Sequence, residues 1–114
     1  MTRHLKVAGG SLAHDDTGTG PLVICMPGMG DVRATYRFST PLLVAAGFRV
    51  VTLDVRGMGE TSVKWDDYSV AGLGDDIVKL IEAVDAGPAH VVGNSMAAGA
   101  AIVAAANRPD LVRS

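Results

Sequence analysis

Ser95 is the residue whose neighbours in the sequence most clearly favour chemistry. It lies in the segment GNSMA, residues 93–97, between the apolar run 89–92 and the small-residue stretch 96–107. Small neighbours let a strand and a helix approach closely, so that the side chain at the tip of the turn projects from the edge of a sheet. A serine in that place can act as a nucleophile, because the N-terminus of the following helix stabilises developing negative charge. The same serine can instead be an ordinary helix N-cap, and the segment alone leaves both roles open.

Two further segments combine glycines with polar residues directly after apolar runs. The segment PGMGD, residues 27–31, has glycines whose backbone N–H groups are free to face an anion. A dinucleotide-binding loop would need a third glycine where the sequence has Arg33, and no Gly-Lys-Ser/Thr follows for a P-loop, so a tight turn is favoured over a nucleotide site. The segment DVRGMGETS, residues 54–62, predicts a turn-rich loop in which Asp54 and Arg56 pair and hold its shape.

The elements that must position these loops alternate along the chain. Apolar runs and helical periodicity predict strands at 4–8, 11–15, 22–26, 48–54 and 89–92, and helices at 33–46, 69–85 and 96–107. Two short strands followed by strand–helix repeats indicate an α/β fold class, with a mostly parallel sheet of about five strands and helices on both faces. Right-handed crossovers then place the loops at the carboxyl ends of the strands.

Composition and charge exclude several classes of function. The 114 residues carry a formal net charge of −2, and the ten lysines and arginines form no basic cluster, which argues against a nucleic-acid partner. Cys25 is the only cysteine, so we expect no disulfide within the chain and no cysteine-based metal site, and we place its side chain in the core. No apolar stretch has the length of a signal peptide or of a membrane span of about 18 residues, so we expect a single cytoplasmic domain with no membrane partner and no metal.

Taken together, the three loops resemble the N-terminal half of the α/β-hydrolase fold superfamily, from the first predicted strand to the end of the chain. The segment 93–97 resembles the Gly-x-Ser-x-Gly nucleophile elbow, and the segment 27–30 resembles the His-Gly-x-Gly oxyanion loop. The segment 54–62 resembles the loop after the fourth strand in esterase-like members. Two positions depart from the family pattern: Ala97 replaces the last elbow glycine, and Pro27 replaces the usual histidine.

The resemblance implies roles for particular residues. Ser95 would be the nucleophile, and the backbone N–H groups of Met29 and Met96 would form the oxyanion hole. The turns would depend on Gly28, Gly30, Gly57, Gly59 and Gly93. A small-molecule substrate with an ester-like acyl bond is implied, and no cofactor. A serine rather than an aspartate at the elbow disfavours the aspartate-nucleophile branch, which contains the epoxide hydrolases and dehalogenases.

The histidine and the acid that complete the catalytic site of this family follow the nucleophile helix along the chain. No histidine follows Ser95 in this sequence, and the one acid after it, Asp110, lies beyond the helix. His90 precedes Ser95 by roughly 16 Å of strand, far outside hydrogen-bond reach, and we expect His4 and His14 to be ordinary strand histidines. The sequence therefore predicts the N-terminal portion of a single hydrolase domain, ending before the sixth strand, without the C-terminal half and the cap.

Three expectations follow from that prediction. The chain needs the C-terminal half of its own fold for activity, so residues 1–114 alone are expected to be inactive. The strand 89–92 is expected to be an unpaired edge with both faces apolar, and 110–114 to run into the sixth strand. The alternative to an enzyme is a non-catalytic binding protein that reuses the fold, or a gene fragment.

Overall fold

The computed structural model describes all residues from 1 to 114 and contains five β-strands and three α-helices. In chain order they are β1 Arg3–Val7, β2 Gly10–Thr17, β3 Leu22–Met26, α1 Ser39–Ala45, β4 Arg49–Leu53, α2 Val70–Val84, β5 Ala89–Gly93 and α3 Met96–Asn107, with a 3₁₀ turn at Arg33–Tyr36. The strands form one sheet in the order β1-β2-β4-β3-β5, in which β3 is parallel to β4 and β5, and the β1–β2 and β2–β4 pairs are antiparallel. The predicted α/β class is confirmed, with parallel pairing in the part of the sheet that carries the three loops.

Helices cover both faces of this sheet, as predicted. β3 is buried at every position, as a continuous apolar strand between two helical layers must be. α2 and α3 pack on one face, where the buried side chains of α2 meet three buried alanines of α3. On the other face Val23, Cys25 and Val50 form a smaller cluster against α1, and burial raises the pKa of the Cys25 thiol to about 11. None of the helices combines the length and the apolar character needed to cross a membrane.

The prediction of one helix over 33–46 is wrong. The structure has a 3₁₀ turn at Arg33–Tyr36 and a separate α1 that begins at Ser39. Pro41 is tolerated in the first turn of α1, but it has no N–H to donate to the preceding turn, so it cannot extend a helix from there. Gly47 follows α1 with a φ of 98°, and this left-handed conformation ends the helix where the sequence predicts it.

The outer edge of β5 is partly covered, so the expectation of an unpaired edge is wrong. Residues 111–114 begin parallel pairing with β5: the Ala89 N–H donates to the Leu111 carbonyl at 2.8 Å, and the Arg113 N–H donates to the Ala89 carbonyl at 2.7 Å. The faces of β5 are also not uniformly apolar, because His90 lies half-buried on one of them. The free backbone groups of an edge strand are satisfied by the next extended segment, which agrees with the predicted run into a further strand.

Candidate active site

Ser95 occupies the turn between β5 and α3 in a strained backbone conformation. Its φ and ψ are 57° and −117°, in a region that residues other than glycine rarely adopt and that costs about 1–3 kcal/mol. The side chain is exposed and makes no capping hydrogen bond to α3. Ser69, by contrast, is an ordinary N-cap of α2 and accepts the Gly72 N–H at 3.1 Å. The N-cap interpretation therefore does not explain Ser95, whose hydroxyl is free to face a ligand.

Close backbone contact makes this turn tight. A Cβ on Gly93 would lie 2.3 Å from the Ala97 carbonyl oxygen and 2.8 Å from the Ala98 nitrogen. Only glycine lets β5 meet the first turn of α3 at these distances. Ala97 stands where the family pattern has glycine, and its methyl group is fully buried in the core. Small residues on both sides of Ser95 therefore set its position.

The loop after β3 lies directly against Ser95. A Cβ on Gly28 would be 3.4 Å from the Ser95 Cβ. The Asp31 N–H donates to the Gly28 carbonyl at 3.2 Å, which leaves Met29 at the exposed tip of the turn. Met96 is the first residue of α3, where a backbone N–H has no acceptor within the helix. The structure thus places the two amides that the resemblance implies for an oxyanion hole on the two segments that flank Ser95.

The other predicted turn glycines lie where the chain reverses. Gly30, Gly57 and Gly59 have φ values of 80°, 82° and 53°, in the left-handed region that favours glycine. Gly59 is also required for space, because a Cβ there would lie 2.2 Å from the Asp54 Oδ2. The loop after β4 is therefore folded tightly around the Asp54 carboxylate.

The predicted pair between Asp54 and Arg56 is wrong. Asp54 pairs with Arg33, whereas both Asp76 carboxylate oxygens accept from the Arg56 guanidinium, at 2.6 and 2.8 Å. A hydrogen-bonded turn begins directly after Asp54, at residues 55–58, and directs Arg56 towards α2. Burial raises the pKa of Asp76, and the Arg56 charge opposes that shift.

An apolar cleft of about 370 Å³ adjoins the Ser95 turn. The residues that line it include Met29, Met58, Val63, Leu73 and Met96. Ser95 is not itself in the lining, so the cleft reaches the turn through the residues that carry the two amides. Its one charged lining residue, Arg56, is held by Asp76 and lies over the Trp65 ring at 4.4 Å. The cleft therefore presents no free charge.

None of the three histidines lies beside Ser95. His4 on β1 and His14 on β2 are four and three strands away from β5 in the sheet order, or about 19 and 14 Å at the usual strand spacing. Burial is the main reason that the pKa of His14 is lowered from its ordinary value, and its Nδ1 lies 3.3 Å from the Leu12 carbonyl oxygen. His90 lies on β5, where its Nδ1 is 2.7 Å from the Ser114 hydroxyl oxygen.

The one acid that follows Ser95 in the sequence, Asp110, is also no partner for it. Asp110 lies beyond the far end of α3, which spans about 18 Å, and its carboxylate accepts from Arg108 at 2.9 and 3.0 Å. This side-chain hydrogen bond lowers the pKa of Asp110. No three His, Cys, Asp or Glu side chains are grouped in a way that could hold a metal ion.

Arg33 and Tyr36, to which the sequence patterns assign no role, both lie next to the loop after β3. Arg33 reaches the buried Asp54, and the Tyr36 hydroxyl donates to the Met26 carbonyl at 2.7 Å. The sequence signal that could have found the pair was an arginine three residues after Gly30 and an aspartate directly after an apolar strand. These opposite charges lie at the same ends of neighbouring parallel strands, where they can meet.

Replacing Ser95 by glycine is expected to raise the free energy of unfolding by about 1 kcal/mol, because glycine adopts the Ser95 conformation without strain at Cβ. Ser95→Ala keeps the Cβ and is expected to unfold like the wild type. Urea unfolding of the purified chain, followed by circular dichroism, measures the difference. Equal midpoints for the two variants would contradict the assignment of strain to this residue.

Comparison with known proteins gives one consistent match. The sequence model of a family described as the alpha/beta hydrolase fold matches residues 21–114. A Mycobacterium tuberculosis protein that carries the name of a non-heme bromoperoxidase is 38% identical over 105 residues, which are 91% of this chain and 40% of that protein. The 2-(acetamidomethylene)succinate hydrolase of Mesorhizobium japonicum is 31% identical over an alignment that covers 100% of this chain and 41% of that enzyme.

Solved structures agree with this match. An epoxide hydrolase from an endophytic Streptomyces superposes with a TM-score of 0.91 at 31% identity, over 98% of this chain and 34% of that one. The epoxide hydrolase VrEH1 of Vigna radiata superposes with a TM-score of 0.93 at 26% identity, over 100% of this chain and 38% of that one. The chain thus spans about 40% of the length of the first curated relatives that it matches.

Proposed function

Because the chain belongs to the alpha/beta hydrolase fold family, we propose that the protein is a serine hydrolase that cleaves ester-like acyl bonds with Ser95 as the nucleophile. One observation carries the proposal: Ser95 is exposed and strained, its hydroxyl has no structural hydrogen bond, and the glycine loop after β3 packs against it, so that a Cβ built on Gly28 would lie 3.4 Å from the Ser95 Cβ. Strain of this kind persists where the surrounding structure enforces it, and functional sites are where it clusters.

In the proposed reaction the Ser95 Oγ attacks the carbonyl carbon of the substrate while a histidine removes the hydroxyl proton. The backbone N–H groups of Met29 and Met96 donate to the carbonyl oxygen as it gains negative charge. The histidine then gives its proton to the leaving alcohol. A water molecule, activated by the same histidine, attacks the acyl-enzyme, which releases the acid and restores the Ser95 hydroxyl. These steps need protein groups and water and no cofactor.

The elbow residue distinguishes this proposal from the activity in the names of several relatives. Epoxide hydrolases are among the relatives and the solved neighbours. The resemblance places an aspartate nucleophile at the elbow of that branch, and this chain has Ser95 there. A serine hydroxyl is a weak nucleophile until a base takes its proton, which suits acyl transfer to the hydroxyl oxygen. We therefore assign acyl bonds rather than epoxides to this protein.

The cleft beside the turn supports an uncharged substrate. Methionine and aliphatic side chains dominate its lining, and methionine adapts readily to apolar groups of different shape. Arg56 is the one cation there, and Asp76 neutralises it. A substrate carboxylate in this cleft would lose its hydration without gaining a free cation. The proposal therefore favours a neutral, apolar acyl or alcohol group next to the scissile bond.

The proposal requires a general base and an acid that residues 1–114 do not place beside Ser95. In the proposal they belong to the remainder of the hydrolase domain. Purified residues 1–114 are accordingly expected to hydrolyse p-nitrophenyl butyrate no faster than the same chain with Ser95→Ala. The comparison of the two initial rates measures this. A rate that depends on Ser95 in the 114-residue chain would show that the base is already present.

Covalent labelling tests the function itself. A fluorophosphonate phosphonylates a serine whose proton is taken by a base and leaves ordinary serines unmodified. We expect one equivalent of label on Ser95, found by mass spectrometry, in the protein translated from the complete reading frame. Ser69, which caps α2, serves as the internal control and is expected to stay unlabelled. Absence of label on Ser95 in the folded protein would reject the proposal and favour a non-catalytic binding protein.

A further inference from the structure

We infer that Asp54 and Arg33 are positioning residues that hold the loop 27–32 against Ser95 and thereby fix the backbone N–H of Met29. The inference rests on the proposed function, which assigns that N–H to the oxyanion hole. It adds two side chains that do not contact the reacting atoms but determine where one of the contacting groups lies.

Asp54 joins the loop after β3 to the loop after β4. Its carboxylate is completely buried, and Oδ1 accepts the backbone N–H of Arg33 at 2.7 Å. Oδ2 accepts the backbone N–H of Glu60 at 2.9 Å and also pairs with the Arg33 guanidinium. The Asp54 carbonyl accepts the Thr61 hydroxyl at 2.8 Å. A buried carboxylate needs paired charge and satisfied oxygens, and this one obtains both from the two loops that it connects.

Arg33 is fixed from several directions. Its Nε donates to Asp15 of β2 at 2.9 Å, and its Nη2 donates to Glu60 at 2.6 Å and to the Thr2 hydroxyl at 2.7 Å. The side chain is 11% exposed. Three carboxylates from two segments, β2 and the loop after β4, therefore act on one planar guanidinium, and the planar fork allows little rotation once it is paired. The backbone of Arg33 cannot move without breaking several of these bonds.

The other end of the loop is fixed at Ser95. A Cβ on Gly28 would lie 3.2 Å from the Asn94 carbonyl oxygen, and the Asp31 N–H closes a turn on the Gly28 carbonyl. Met29 lies between these two fixed points and is 74% exposed. Its side chain therefore contributes little to the placement of its own N–H. The position of that N–H is set by the Asp54–Arg33 pair on one side and the Gly28 contact on the other.

A second ion pair in the same sheet offers a matched control. Asp16 accepts from Arg49 at 2.8 and 2.6 Å, and the Asp16 side chain is 7% exposed. This pair joins β2 to the beginning of β4, whereas Asp54 follows the end of β4. It resembles the Asp54–Arg33 pair in chemistry, with a buried carboxylate and a guanidinium that is 29% rather than 11% exposed, but it has no hydrogen bond to the loop 27–32.

Asp54→Asn in the protein from the complete reading frame is expected to lower kcat by about 10- to 100-fold, because displacement of a catalytic donor by about 1 Å costs that much. We expect KM to change less than about threefold, since the lost interaction acts in the transition state. Asp16→Asn is expected to leave both constants near the wild-type values. Arg33→Lys, which keeps a charge near Asp54, is expected to retain more kcat than Arg33→Met.

Amide hydrogen exchange gives a readout that does not depend on activity. In the 114-residue chain, Asp54→Asn is expected to speed exchange in the peptide 27–33, and Asp16→Asn is expected not to. Equal effects of the two aspartate variants on kcat and on exchange would overturn the inference. If Asp54→Asn does not fold, amide exchange in the peptide 27–33 is compared between Arg33→Lys and Arg33→Met, and slower exchange in Arg33→Lys supports the positioning role.

The positioning role and the proposed function fail in different ways. Loss of activity in Ser95→Ala, together with an Asp54→Asn variant that behaves like Asp16→Asn, would reject the positioning role alone. Retained activity in Ser95→Ala would reject the proposed function.

Discussion

Replacing Ser95 by alanine is expected to lower kcat/KM for ester hydrolysis by about 10⁴-fold or more in the protein from the complete reading frame, since the loss of a serine nucleophile leaves only binding and oxyanion-hole effects. The structure explains why stability should not follow. The Ser95 hydroxyl is exposed and caps nothing, and alanine keeps the same Cβ in the same strained conformation. Initial rates with p-nitrophenyl butyrate and urea unfolding measure the two effects separately.

Ser69 provides the matched control for this experiment. It is the serine that does cap a helix, because its hydroxyl accepts the Gly72 N–H at 3.1 Å. Ser69→Ala is expected to cost about 1 kcal/mol of stability and to leave kcat/KM unchanged. The two alanine variants should therefore show opposite patterns. If Ser95→Ala instead lost stability and kept activity, Ser95 would be a structural residue and the serine hydrolase proposal would fail.

The sequence predicted those parts of the fold that depend on local pattern. β3 and α3 have the predicted bounds, and the other strands and α2 differ only at their ends. β3 reads as a continuous apolar run because both of its faces are buried, and α3 reads as a helix of small residues because it packs closely on α2 and β5. The Ser95 turn was predictable for the same reason, since small residues must occupy both of its sides.

The ion pairs were not predictable from spacing. Asp54 and Arg56 are two residues apart, and the sequence favoured a local pair. The structure instead pairs each of them with a residue at least 20 positions away in the sequence. Which charged side chains pair depends on the strand order and on the turn at 55–58, and the spacing of charges along the sequence predicts neither of them. Ion pairs of this kind join segments that are distant in the sequence, and they fix the conformation of loops that local sequence patterns do not predict.

The helix predicted over 33–46 failed for a related reason. The apolar spacing alone fits a helix, but Pro41 prevents a continuous one. In addition, the Arg33 side chain turns towards the sheet, where it pairs with Asp15 and Asp54. The segment after the glycine loop therefore serves to fix the loop rather than to extend α1. The coverage of β5 by residues 111–114 likewise depends on where the chain returns after α3, which no local pattern specifies.

Replacing Gly93 by alanine is expected to lower the free energy of unfolding by about 3 kcal/mol, the upper part of the usual range for a group forced into a packed site. The added Cβ would lie 2.3 Å from the Ala97 carbonyl oxygen, 2.5 Å from the Ala97 carbonyl carbon and 2.8 Å from the Ala98 nitrogen. All three atoms are backbone in the first turn of α3, so no side-chain rotation relieves the contact. The start of α3 must move away from β5, and the buried alanines that pack behind it must move as well.

Gly99→Ala is the matched control, because Gly99 lies in α3 itself and a Cβ there would meet only a Val70 methyl group at 3.2 Å. That contact is relieved if the Val70 methyl group, on the first residue of α2, shifts by roughly a few tenths of an ångström. Alanine also favours the helix more than glycine does, by about 1 kcal/mol. We therefore expect Gly99→Ala to change the free energy of unfolding by less than about 1 kcal/mol.

The same two variants are expected to differ in the labelling of Ser95. Because Ser95 is held between Gly93 and α3, a shift of the helix also displaces the serine. Gly93→Ala should therefore lose labelling by the fluorophosphonate, while Gly99→Ala keeps it. A Gly93→Ala protein that is as stable and as reactive as Gly99→Ala would mean that the close backbone contact does not determine where Ser95 lies.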